Sequence, residues 1–259
     1  MESTLQQIAS LVGELPPITL EQMKSIRLMN RTDTKFVTSL PNLAALLALA
    51  KGSYYAQEID GKRISPYTTV YWDTPEDHAM FRRHHCKHMP RTKVRVRTYV
   101  DSAQSFLEIK KKNNHGKTSK KRVSVPSAEA VMSNHAGEDF LTERTGYTFD
   151  DIIPTLGNRF SRITLVNFAK TERLTIDFKL SFHNYETLAD TAMDNIVIIE
   201  LKRDGRQPSP ILSILRTLRI KPSGFSKYCI GSAMTNDLLP QNRFKPRLRK
   251  MERIAAGRH

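Results

Sequence analysis

Alternation of apolar and ionic residues with a period of two dominates the chain and predicts strands. It is cleanest at Lys93-Val-Arg95-Val-Arg97-Thr-Tyr99-Val, where the cations share one face and Val94, Val96 and Val100 the other. Residues 106–112, FLEIKKK, repeat it with Glu108, Lys110 and Lys112 opposite Leu107 and Ile109. The turn Asn113-Asn114-His115-Gly116 then leads to a partner strand over residues 120–125, making a hairpin. Further strands are predicted at 31–37, at 67–72 and from Arg162 to Leu165. Others follow at 173–180 and at 196–202, where Glu200 and Lys202 lie opposite Val197, Ile199 and Leu201.

Helical signals sit between and around these strands. Residues 1–29 read as short helices broken by Pro16-Pro17, with Thr19 an N-cap and Glu21 in the following first turn. Residues 41–51 read as a buried helix ended by Gly52, and Thr74-Pro75 as the start of a helix carrying Met80, Phe81 and the histidines. Helices are also predicted near 127–145 and 209–218. With no compositional break near the middle, this predicts one α+β domain over 18–235, a helical extension over 1–17 and a basic tail over 236–259. The tail reads as solvated and partly disordered. Its alternative role is to guide an emerging polyanion or to meet an anionic lipid surface.

The apolar strand faces can bury against the helices, which leaves the ionic faces to be placed. On an ordinary antiparallel sheet they would meet solvent. Their recurrence in at least six strands points instead to a closed antiparallel β-barrel with helices packed around it and the ionic faces inside. Cations stacked in such an interior repel one another unless an anion is bound. Arginine forks and lysine point charges suit successive phosphates, so triphosphate or polyphosphate fits. Glu200, or alternatively Glu108 or Asp177, offers hard oxygen to a divalent cation.

Charge strengthens this expectation. Lys and Arg number 41 against 26 Asp and Glu, a net +15 that calls for a polyanionic partner. Hydrophobic residues at 39% suffice for a core. Cys86 and Cys229 are far apart and form no CxxC pair, which fits a reducing compartment. No basic leader followed by an apolar stretch and no run of about 18 apolar residues occurs, so a cytoplasmic protein is expected. There is no GxxxxGK[ST] phosphate loop and no sign of a Ser-His-Asp nucleophile. His84, His85, Cys86 and His88 lack companions to complete a zinc site and read as packing or solvated residues, and Asp73 reads as a turn or cap.

The ordered segments RTDTKFV, VYWDTP, MFRRHH, KVRVRTYVDS, FLEIKKKN, ERLTIDFKL, IVIIELK and PSGFSKYCIG resemble the catalytic domain of the vacuolar transporter chaperone (VTC) family, over roughly residues 18–232. That family is grouped with the triphosphate tunnel metalloenzymes, or CYTH-like proteins. The resemblance implies a tunnel in which the γ-phosphate of ATP is transferred to a growing inorganic polyphosphate chain, with Mn2+ or Mg2+ as cofactor. It also implies pyrophosphate or tripolyphosphate as ligands, and no specific nucleic acid. Carried over by residue, Lys35, Arg95, Arg97, Lys110, Arg162, Arg173 and Lys227 correspond to the basic phosphate ligands and Glu200 to the metal ligand. Lys112 and Lys202 share the inward faces of their strands. Lys120, Lys121 and Arg122 all remain open for the basic residue of the strand after the hairpin, with alternation favouring Lys120 and Arg122.

Two departures stand out. Tunnel triphosphatases open with Glu-x-Glu-x-Lys, whereas this chain has Arg31-x-Asp33-x-Lys35, which favours polymerase or binding chemistry. Where the eukaryotic polymerases carry a lysine before Phe-Ser-Lys, this chain has Gly224. The competing readings are a tunnel triphosphatase and a non-catalytic polyanion or RNA binder. A membrane-protein partner for export or anchoring, with peripheral placement at the inner membrane face, is compatible with the family.

Overall fold

The period-two segments all become strands of one 11-stranded, mostly antiparallel sheet. The structure is a computed structural model that describes residues 1–24, 26, 31–205 and 207–257. The predicted N-terminal segment over 27–29, and Arg258 of the tail, lie outside the described residues.

In chain order the elements are α1 (Glu2–Gly13), β1 (Pro17–Ile18), α2 (Leu20–Lys24), β2 (Arg31–Ser39), α3 (Leu40–Ala50), β3 (Tyr54–Gln57) and β4 (Ser65–Asp73). They continue with α4 (Ala79–Cys86), β5 (Arg91–Tyr99), β6 (Gln104–Lys112), β7 (Thr118–Val125), α5 (His135–Thr145) and β8 (Ile153–Asn167). The chain closes with β9 (Glu172–Asn184), β10 (Asp190–Met193), β11 (Ile196–Asp204), α6 (Pro210–Thr217), α7 (Lys227–Thr235) and α8 (Lys245–Ala255).

The main strand order is β2-β11-β9-β8-β4-β5-β6-β7, and β1, β3 and β10 attach beside it. Its outer face is apolar and covered in two places. Ile163, Leu165, Leu174, Ile176, Val197, Ile199 and Leu201 pack under α1, α3 and α6. Val94, Val96, Leu107 and Ile109 pack against Leu141 of α5, Trp72 and Phe149. One end of the inner face is apolar too, where Leu156, Leu180, Phe182 and Ile198 meet α7 and α8. The rest of the inner face carries the ionic side chains, with Thr69, Thr164, Thr175 and the rings of Tyr67 and Tyr71 among them.

The expected closed barrel is corrected at the level of backbone pairing. The ladder is an open path ending in β2 and β7, and these two strands do not pair among the described residues. The reason is that another segment takes the free edge of β2. Phe36 bridges to Pro222, and the Ser223 amide donates to the Lys35 carbonyl at 2.8 Å. The sheet nevertheless curls strongly, since Lys35 on β2 and Lys93 on β5 reach the same short segment: Lys35 Nζ donates to the Phe225 carbonyl at 3.0 Å and Lys93 Nζ to Ser226 Oγ at 2.8 Å.

Helix ends follow local chemistry. Thr19 and Gln22 form a reciprocal capping pair at α2, with backbone-to-side-chain bonds of 2.9 and 3.2 Å. The helix expected from Thr74-Pro75 starts later, at Ala79, because Glu76 and His78 have left-handed backbones that a helix cannot contain. Asp73 and Thr74 still cap it. The Asp73 carboxylate accepts from the Met80 and Phe81 amides, each at 2.8 Å, and Thr74 Oγ from the Ala79 amide at 2.8 Å. The basic tail is not a solvated coil over residues 245–255. There it is helix α8, amphipathic, with Met251 and Ile254 buried against the sheet alongside the preceding Phe244. No helix of the described residues is long and apolar enough to cross a membrane.

Candidate functional site

Register brings the ionic residues onto one surface. Lys35 lies opposite Glu200, Lys202 opposite both Asp33 and Arg173, and Asp177 opposite Arg162. On the other flank Arg95 lies opposite Glu108, Glu108 opposite Arg122, and Lys110 opposite both Lys93 and Lys120. Because side chains alternate along every strand, these residues share the concave face, and curling turns the two flanks toward each other.

Of the four carboxylates on this surface Asp33 is exposed, and the other three are embedded among the cations and differ in what they have left to offer. Glu108, 1% exposed, accepts from Arg95 Nε at 2.8 Å and Nη2 at 2.7 Å, pairs with Lys120 and lies 4.0 Å from Arg97. Burial opposes its ionisation, but Arg95, Arg97 and Lys120 outweigh that and hold the carboxyl down at about 2. Asp177 receives a bidentate fork from Arg162, Nε at 2.6 Å and Nη2 at 2.8 Å, and pairs with Lys227. Burial works against its charge as well, and Arg162 and Lys227 keep it far below the usual carboxylate range. Glu200 accepts from Lys202 at 3.0 Å on one oxygen only, while its other oxygen has no hydrogen-bond partner among the described residues. Burial is again outweighed, here by Lys202, Lys35 and Lys110, which hold Glu200 down at about 2. Glu200 is therefore the carboxylate best able to share a divalent cation with a bound phosphate.

The lysines feel one another's crowding. Burial, opposed by Asp177 and reinforced by Arg162, lowers Lys227 to about 7. Burial and the nearby Lys35 and Arg95 cations lower Lys93 to about 8, offset in part by Cys229. Burial likewise lowers Lys110 and Lys120 to about 8. Lys227 arrives from a helix rather than a strand: it opens α7, whose N-cap Ser226 accepts from the Cys229 amide at 3.2 Å. Aromatic rings back the cations, with Arg162 5.1 Å from the Tyr67 ring centre and Lys227 4.1 Å from that of Phe160.

Lys35, Arg95, Arg97, Lys110, Lys120, Arg162, Arg173, Lys202 and Lys227 thus meet on the concave face with all three carboxylates. Two predicted residues lie at its margins. Arg122 is exposed and stacks 4.3 Å from the Phe106 ring centre, and Lys112 sits at the end of its row opposite Arg91. Lys93 belongs to the site although it was not in the sequence-derived set; its shared parity with Arg95 and Arg97 was the available signal. The histidine cluster does not converge: His84 Nε2 pairs with the Thr92 carbonyl at 3.1 Å and His85 Nε2 with Asn242 Oδ1 at 2.6 Å. Among the described residues no group of three or more His, Cys, Asp or Glu side chains could hold a metal unaided.

The VTC domain family matches residues 30–236. No curated protein matches the sequence. Among solved structures, a candidate adenylate cyclase from Bacillus halodurans is similar over 76% of this chain and 96% of its own, at 13% identity and a TM-score of 0.49. The candidate adenylyl cyclase HpAC1 from Hippeastrum, described as having a dominant triphosphatase activity, is similar over 82% of this chain and 98% of its own, at 14% identity and a TM-score of 0.48. The family match runs from just before β2 to just after α7, taking in every strand and helix that contributes an ionic side chain to the concave face, and the chain belongs to the VTC domain family.

Proposed function

We propose that this protein is a metal-dependent polyphosphate polymerase that transfers the γ-phosphate of ATP to the end of an inorganic polyphosphate chain. The observation that carries the reading is the division of labour among the carboxylates. Glu108 and Asp177 are committed to cations, and Glu200 alone of the three keeps an oxygen free beside Lys35, Lys110 and Lys202.

In this reading the arginines and lysines of the concave face hold the triphosphate and the acceptor chain in line by charge and hydrogen bonding, without contacting a base. A terminal oxygen of the acceptor attacks the γ-phosphorus, the bond from that phosphorus to the β,γ-bridging oxygen breaks, and ADP leaves with that oxygen. Arg95, Arg97 and Arg162 are fixed by their neighbours before substrate arrives, so little reorganisation is required as charge shifts toward the leaving group. A Mn2+ or Mg2+ ion held by Glu200 together with phosphate oxygens would supply further neutralisation of the transferred group.

The test is to incubate purified protein with ATP and manganese and to resolve products on a gel stained for polyphosphate, beside Glu200→Ala. Polymer that an exopolyphosphatase digests, present in wild type and lost in the variant, is the expected result. Orthophosphate without polymer would replace this reading with a triphosphatase, and no turnover with salt-dependent RNA binding would replace it with a polyanion binder.

A further inference from the structure

A second cationic surface lies along the edge of β2, beside the concave face. A groove of about 870 Å³ runs between β2, α3, α6, the 219–222 segment and α8. Its apolar floor includes Phe36, Leu215, Ile220 and Ile254. Its walls carry Arg216, Arg219, Lys221, Lys250 and Arg253, and no Asp or Glu lines it. None of these five cations has a carboxylate partner among the described residues.

Two details show that the cations are placed rather than scattered. Arg219 ends α6 in a left-handed conformation (φ 55°), with the Arg219 amide donating to the Arg216 carbonyl at 3.0 Å and the Ile220 amide to the Leu215 carbonyl at 2.8 Å. Glycine fills this turn position without steric penalty, so what an arginine adds there is its charged side chain. On α8, Arg247, Lys250 and Arg253 follow at intervals of three and form a ridge rising about 9 Å along the helix. At the start of the ridge the Arg247 guanidinium lies 3.7 Å from where a side chain on Gly224 would begin. Gly224 adjoins Phe225, whose carbonyl Lys35 holds. The groove and the concave face therefore border the same strand edge, β2 with residues 222–225, and the ridge runs from that edge along the groove.

We propose that this groove is a second binding site for linear polyphosphate, engaging chain that extends beyond the concave face. It rests on the polymerase reading for the origin of that chain. Charge complementarity selects the occupant: a polyanion without bases or rings satisfies five unpartnered cations and needs no hydrogen-bond acceptors or donors from the floor.

The test compares binding of tripolyphosphate and of polyphosphate of about 100 residues to wild type, to R216Q/K250Q/R253Q, and to K87Q/K170Q/K179Q, which removes equal charge elsewhere. The groove variant is expected to bind tripolyphosphate within twofold of wild type and the long chain at least tenfold more weakly, with the control variant unchanged on both. Arg219→Gly, which suits its backbone, is expected to weaken the long chain alone, about threefold. Unaltered long-chain affinity in the groove variants, or equal loss in the control, overturns the proposal. Absence of tripolyphosphate binding in wild type with a groove-dependent long-chain affinity would instead remove the polymerase reading and leave the second site standing.

Discussion

Glu108→Gln tests whether the buried carboxylates act as counter-ions for the cations of the concave face. The substitution keeps shape and leaves Arg95, Arg97 and Lys120 without their shared anion. Holding the Glu108 carboxyl at about 2 instead of 4.5 corresponds to about 3 kcal/mol in favour of the charged form. Loss of one member of a buried ion pair costs a similar ~3–5 kcal/mol, and Lys120, which is 41% exposed, adds least because water screens it. For a chain of this size about 3 kcal/mol lowers Tm by roughly 6–12 °C. Because the folded value is depressed, the stabilisation is present in full above the unfolded value near 4.5 and disappears as pH falls through about 2, so the two proteins converge only in strong acid. Tripolyphosphate supplies the missing negative charge, so at saturating ligand its rise in Tm should be larger for the variant than for wild type. Thermal melts at pH 7.5 with and without tripolyphosphate measure both effects. A variant within 1 °C of wild type, or one that gains no more from ligand, would refute the counter-ion reasoning.

Three other outcomes follow from the site. Lys227 and Lys93, lowered to about 7 and about 8, lose charge as pH rises, so tripolyphosphate affinity should fall between pH 7 and 9 while binding takes up protons, measurable by calorimetry in two buffers. The empty protein should move the opposite way over that window, becoming more stable with rising pH, because the unfolded lysines bind more protons than the folded ones; a parallel fall in Tm would contradict this. Gly231→Ala drives a methyl group into the Phe182 ring and to 2.8 Å from Leu156, which should cost about 1–3 kcal/mol and displace α7 together with Lys227; denaturant melts and tripolyphosphate affinity should both register it.

Most strands carrying the site were legible because each repeats the same two-residue alternation. Other elements were masked by composition. The first half of β8 contains Pro154 and Gly157, which interrupt a strand signal, and α7 begins in PSGFSK, which reads as a turn although Ser226 is a good cap. Parity placed Glu108, Asp177 and Glu200 inside together, but their different commitments depend on cross-strand neighbours: Arg95 faces Glu108 and Arg162 faces Asp177 only because of register, which a single sequence does not specify. The closed barrel followed from the same parity argument. It could not anticipate that Pro222–Ser223 would occupy the edge of β2.

That open path has a topological meaning. Inside a ring sealed by continuous backbone hydrogen bonds, a polymer can be admitted only by threading one of its ends. Here the ends of the sheet, β2 and β7, are not joined to each other, and the short 222–226 segment runs along the β2 edge and reaches Lys93 of β5 through side-chain bonds. Under the polymerase reading proposed above, a cyclic phosphate or a chain blocked at both ends is expected to meet no knot-like prohibition at such a seam and to enter from the side.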